Sequence, residues 1–122
     1  MGTELQNLEV YQLARKISKL AWGIYVNFSW QEKKVVGDQF ITAVDSVGAN
    51  IAEGWGRLHF LDRNRFNYNA RGSLVESQHW LELMIERNII SKESGEVLRI
   101  EMRQLRTKLN NFILSIKNKA KK

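Results

Sequence analysis

Neither proline nor cysteine occurs in the 122-residue chain. Without proline the strongest helix breaker is missing, so long helices and few irregular stretches are expected. Without cysteine, disulfides, thiolate nucleophiles and cysteine-held zinc are excluded, which fits a reducing compartment. Histidine is scarce. Only His59 and His79 occur, and they form no HxxxH pair of the kind that holds a metal on a helix. No apolar run approaches the ~18 residues that a membrane span requires. The opening MGTELQNLEV has neither the basic nor the apolar region of a signal peptide. Gln6 stands where a myristoylation signal at Gly2 needs Ser or Thr. A cytoplasmic protein with no membrane partner, metal or cofactor is expected.

What is present suits one globular domain over residues 1–122. The hydrophobic fraction is 43%, and a chain of this length buries roughly two-thirds of its unfolded surface, enough for a core without staples. The net charge of +6 is unevenly placed. Residues 1–98 carry 11 basic and 12 acidic side chains, whereas residues 99–122 carry eight basic side chains against Glu101 alone. The excess at the C-terminal end is an electrostatic footprint for a polyanion or a solvating tail.

Hydrophobic periodicity sets the class. Val10, Leu13, Ala14, Ile17, Leu20, Ala21, Ile24 and Phe28 share one helical face, as do Val36, Phe40, Val44, Val47, Ile51 and Trp55. Phe66, Ala70, Ser73, Ser77, Leu81 and Met84 mark a third face; Leu98, Met102, Leu105, Leu109, Phe112 and Ile116 mark a fourth. Ser29-Trp30-Gln31-Glu32 matches a capping box, and Asp62 and Ser91 stand where caps of the third and fourth helices belong. Helices are expected at about 8–28, 30–57, 62–88 and 91–117, followed by a basic tail at 117–122. Such short joints make successive helices antiparallel neighbours. The fold class is all-α, an antiparallel up-down-up-down four-helix bundle.

The stretch GANIAEGWGR, residues 48–57, needs a reason for its glycines, because each costs a helix interior about 0.5–1 kcal/mol. It is no phosphate loop, since Trp55 rather than lysine follows Gly54. It is no dinucleotide fingerprint, since His59 replaces the third glycine and no strand precedes it. Glu53 and Glu76 are the carboxylates that acid–base chemistry would use, yet no nucleophile accompanies them, and no enzyme is expected. Asn50, Gly54 and Arg57 flank the apolar stripe of the second helix, and Gly72 and Glu76 flank that of the third. In antiparallel register Ser46 lies level with Glu76; in one handedness of the bundle the two flanks face each other, and in the other they face the first and fourth helices. This reads as a structural polar seam. Gly54 and Gly72 admit close approach, Asn50, Ser73 and Glu76 satisfy one another or nearby backbone, and Gly56 ends the helix in the left-handed conformation. The alternative is a recognition site in which Asn50, Glu53 and Arg57 meet a ligand.

Two further surfaces stand out. Tyr11, Trp22 and Tyr25 form a second stripe on the first helix, and Tyr68 and Val75 point outward on the third. Contiguous exposed apolar residues favour self-association. On the fourth helix Arg99, Arg106, Asn110 and Lys117 share a stripe opposite the apolar face, with Arg103 beside it and Lys119, Lys121 and Lys122 beyond. Such spacing suits an RNA or DNA backbone. No aromatic residue of that helix interleaves the stripe, which favours backbone contact over base stacking.

The segments LEVYQLARKI, SVGANIAEGWGR and FNYNARGSLVES resemble the bacterial four-helix-bundle proteins encoded in intervening sequences of 23S ribosomal RNA genes, often labelled a ribosomal protein family. The resemblance spans nearly the whole chain. Its specific elements are NIAEG-x-GR and A-x-GSL-x-E, which fall here on Asn50, Ile51, Ala52, Glu53, Gly54, Gly56, Arg57, Gly72, Ser73 and Glu76. Ser29 and Gly48 stand where the family usually has proline. The resemblance implies a cytoplasmic bundle that assembles as a ring, a pentamer, without enzymatic activity. Similar proteins include the accessory proteins of diversity-generating retroelements, which bind nucleic acid and a reverse transcriptase. The expected function is therefore a homo-oligomer that binds RNA or DNA backbone through its fourth helix. The alternative is a protein–protein scaffold.

Overall fold

Four long helices make up the computed structural model, which describes residues 4–121; there is no strand among them. Lys122 of the basic tail and Gly2 of the myristoylation reading lie outside the described residues. After a 3-10 turn at Leu5–Asn7, α1 runs Glu9–Tyr25. The second helix, α2, covers residues 30–55 and has three parts: Trp30–Glu32, a π-helical turn at Lys33–Gly37, and Asp38–Trp55. Helix α3 is Phe60–Glu86 and α4 is Lys92–Ala120.

The ends of these helices follow local chemistry. Ser29 closes the expected capping box: its hydroxyl accepts from the Glu32 amide at 3.1 Å, and the Glu32 carboxylate accepts from the Ser29 amide at 2.8 Å. Ser91 caps α4 by accepting from the Ser94 amide. Asp62 does not cap α3. The helix starts two residues earlier, so Asp62 sits inside its first turn, beside the positive end of the helix dipole. Nor does Gly56 adopt the left-handed conformation, since its φ of −73° is ordinary helix. That conformation belongs to Asn88, at φ 58°. There the amides of Asn88 and Ile89 reach back to the carbonyls of Ile85 and Met84, a Schellman ending in which asparagine takes glycine's usual place. Helix α4 runs on through most of the lysine-rich tail to Ala120, past the expected end at 117.

Contacts join α1 to α2, α2 to α3, α3 to α4 and α4 to α1. The ion pairs Glu9–Lys108 and Lys16–Glu101 fix α1 and α4 antiparallel. The bundle is thus up-down-up-down. Its core runs the full length, with Ala14, Phe40, Ile51, Leu74, Met102 and Leu109 among the buried side chains. The stripe on α3 differs from the periodic reading. Asn64, Asn67 and Leu74 are buried, while Phe66 and Ser73 are only half-buried. Asn64 and Asn67, which the apolar period does not include, each find a polar partner inside: Asn64 donates to the Ile113 carbonyl and Asn67 donates to Asn64. On α4 the core position falls on Ile113 rather than Phe112. Among the described residues no helix is long and apolar enough to cross a membrane.

Candidate nucleic-acid interface at the seam of α3 and α4

Antiparallel packing turns the outer edges of α3 and α4 into a ladder of cross-helix pairs. At one end Glu82 takes Arg99 in a bidentate grip, with Nε and Nη2 at 2.6 and 2.5 Å from the two carboxylate oxygens. Further along, Arg106 donates to Gln78 at 3.5 Å and Arg71 donates to the Asn110 amide oxygen at 3.0 Å. At the far end the Tyr68 ring lies between two cations. The Arg71 guanidinium carbon is 5.2 Å from the ring centroid and the Lys117 ammonium is 5.6 Å from it.

The chemistry changes along this ladder. Arg99 is claimed by Glu82 and, at 3.3 Å, by Glu96. The Arg99 hydrogen bond holds the Glu82 carboxyl below its ordinary pKa, and the same bond drives that of Arg99 upward. Arg99 therefore braces α3 against α4, and its charge is neutralised internally; in this it departs from the expected phosphate-binding stripe. Arg71, Arg103, Arg106, Lys117 and Lys119 have no carboxylate within ion-pair distance among the described residues. Asn110 is occupied by Arg71. The strip from Arg106 to Lys117 is about 17 Å long at the helical rise. Reading α4 alone missed Arg71 and Tyr68, which α3 supplies. The interleaved aromatic that was absent from one helix is present across two.

The glycine motif serves the joint of α2 and α3. A Cβ on Gly54 would stand 2.8 Å from the Arg63 carbonyl oxygen and 3.0 Å from the Phe66 Cβ, so only glycine fits without a shift. Gly72 faces open space, and the expected close approach there does not exist. Asn50, Ser73 and Glu76 bond within their own helices rather than to one another, Asn50 to nearby backbone as the other half of the polar-seam reading has it. Asn50 donates to the Ser46 carbonyl, the Ser73 carbonyl accepts from Ser77, and Glu76 accepts from the Trp80 indole. Each satisfies its own helix one turn away. Arg57 pairs with Glu53 and lies 4.7 Å over the Phe66 ring, while Arg63 covers Trp55 and donates to the Arg57 carbonyl. These contacts clamp the turn after Gly56.

Ser46 and Glu76 share an open groove, so the two flanks face each other, and Glu53 does not line that groove. Glu76 and His79 stand at an ExxH spacing, yet Glu76 is held by Trp80 and the His79 ring packs edge-on against the same indole. Among the described residues no three potential ligands cluster for a metal.

The aromatic stripe on α1 is uneven. Tyr11 and Tyr25 pack partly against the core, and Tyr25 donates to Asp38 at 2.5 Å, which raises the pKa of its phenol. Trp22 is 55% exposed and stacks on Tyr25. Val75 is exposed on α3.

The sequence profile of the family described as 23S rRNA-intervening sequence protein matches residues 6–111. The crystal structure of a protein of unknown function from the S23 ribosomal protein family of Bacteroides thetaiotaomicron VPI-5482 superposes with a TM-score of 0.78 at 24% identity, covering 85% of this chain and 97% of that one. This likeness concerns the fold. The sequence matches no curated protein. With the profile running through α1, α2, α3 and most of α4, the chain belongs to the 23S rRNA-intervening sequence protein family.

Proposed function

We propose that this protein is a non-enzymatic, homo-oligomeric binder of nucleic-acid backbone, acting in the cytoplasm through the α3–α4 seam. One observation carries the reading. Arg71, Arg106 and Lys117 line a continuous strip without a carboxylate partner among the described residues, on a chain whose positive excess is concentrated in α4. Uncompensated cations in a row attract a chain of phosphates and release its counterions. Arg103 and Lys119 extend the field on the exposed side of α4.

The test is the salt dependence of binding to labelled RNA and DNA. For a single strand each neutralised phosphate contributes about −0.7 to the slope of log affinity against log salt, so Arg71→Ala/Arg106→Ala/Lys117→Ala should flatten that slope by about 2. An unchanged slope removes the seam as the site. Absence of binding by the wild type at low salt ends the reading altogether. In that case the scaffold reading takes over, favoured by Leu58 at 86% and Leu61 at 73% exposure on the α2–α3 joint, where a protein partner such as a reverse transcriptase would dock.

A further inference from the structure

Tyr68 contributes a feature that phosphate binding alone does not need. Its ring is 37% exposed at the end of the seam, with Arg71 and Lys117 on its flanks. At 5.2 and 5.6 Å from the centroid both cations lie over the ring, and Lys117 has no other polar partner among the described residues, so a stacking base takes its place as the ammonium turns to a phosphate. They also hold it in place, and Arg71 is itself tied down by Asn110. An aromatic face set among unpaired cations is the arrangement on which bases of a single strand stack while the flanking phosphates are neutralised. A duplex has no free base face to offer.

The cation-and-aromatic surface on α1 lacks this combination. On α1, Arg15, Lys19 and Trp22 line an open groove together with Asp45, and Tyr25 is engaged by Asp38. Carboxylates there would repel a phosphate chain. The side chains in cross-helix contact along the basic half of the α3–α4 seam, Tyr68, Arg71, Gln78, Arg106, Asn110 and Lys117, include no carboxylate.

We propose that the seam selects an unpaired nucleotide strand, stacking one base on Tyr68 between phosphates held by Arg71 and Lys117. The inference rests on the nucleic-acid reading above and adds the class of ligand. Both RNA and DNA single strands satisfy the chemistry, so both are probed.

Fluorescence anisotropy on the full chain would use four labelled probes of equal length: a single-stranded RNA, a single-stranded DNA, a duplex, and an abasic single strand that keeps only the backbone. Wild type should bind the base-bearing single strands about tenfold more tightly than the abasic strand or the duplex. Tyr68→Ala should erase that preference, whereas Tyr68→Phe and Tyr68→Trp should keep it, with circular dichroism confirming that all three remain helical. The tighter of the two base-bearing strands identifies the sugar. Equal affinity for abasic and base-bearing strands, or a Tyr68→Ala variant that keeps the wild-type preference, overturns the stacking site and leaves the backbone reading standing. Failure of wild type to bind any probe overturns both.

Discussion

The side-chain amide of Asn64 donates to the main-chain carbonyl of Ile113 at 3.0 Å, tying α3 to α4 inside the bundle. Its oxygen accepts in turn from Asn67, and both asparagines are at most 3% exposed. Replacing one member strands the others away from water, at about 1–3 kcal/mol for each orphaned group. Asn64→Leu should therefore lower the urea-unfolding free energy by about 2–4 kcal/mol. Adding Asn67→Leu should cost less than the sum of the single variants, because the second change removes a donor already left unpaired. Strict additivity would show that the two amides do not act as a unit.

Two of the three family glycines, Gly54 and Gly72, should respond in opposite directions. At Gly54 a methyl group meets the fixed Arg63 carbonyl, so Gly54→Ala should destabilise by about 1–3 kcal/mol through forced helix separation. At Gly72 nothing lies within 4 Å of a Cβ, and the backbone is ordinary helix. Gly72→Ala should then stabilise by about 0.5–1 kcal/mol through helix propensity. Thermal unfolding of both variants checks the pair. A loss at Gly72 would mean that this position packs against something outside the monomer.

These positions also show how far the sequence could be read. Helix number, the Ser29 and Ser91 caps and the antiparallel register followed from spacing alone, because apolar period and capping chemistry are local. The α3 core was misread at Asn64, Asn67 and Phe66, because a buried amide is legible only when its partner, here the Ile113 carbonyl, can be seen. The surroundings of the helix-four stripe were hidden for the same reason. Arg103, Arg106 and Lys117 have no ion pair among the described residues, but Glu82, 17 positions before Arg99, neutralises it, and Tyr68 enters from another helix. Periodicity places a side chain on a face; it does not say what comes to meet it.

The Glu82–Arg99 brace predicts a pH dependence. The folded protein holds the Glu82 carboxyl below its ordinary value of 4.5, chiefly through the hydrogen bond from Arg99. A depressed carboxylate contributes stability that is fully present above the unfolded value and is lost as pH falls through the folded one. Glu82→Gln should thus lower the melting temperature at pH 7, and the gap from wild type should close as pH drops below 4.5. The effect is small because Glu82 is 46% exposed. A gap that persists unchanged at acid pH would assign the loss to packing rather than to charge.

The proposed self-association makes Trp22 on α1 the residue to alter. It is 55% exposed and stacked on Tyr25, so a charged replacement leaves the core intact while placing a carboxylate in any apolar contact. Light scattering on Trp22→Glu should shift the mass toward the 14.2 kDa of one chain. An unchanged multi-subunit mass would remove α1 from the interface, and a monomeric wild type would remove the assembly.

The division of labour along the α3–α4 ladder gives the sharpest contrast. Arg99 is bound by two carboxylates, so a passing phosphate would have to compete with Glu82 and Glu96 for a guanidinium that is already satisfied. Arg99→Ala should therefore lower the melting temperature while leaving the salt slope of RNA or DNA binding unchanged. Arg106→Ala should do the reverse. Its contact with Gln78, at 3.5 Å, is long and uncharged at the acceptor, so its removal costs the fold little while subtracting one phosphate contact from the slope. Measured side by side, the two arginines separate stability from binding. If Arg99→Ala weakens nucleic-acid binding as much as Arg106→Ala does, the brace is also part of the binding surface, and the boundary drawn here between the paired and unpaired halves of the seam is in the wrong place.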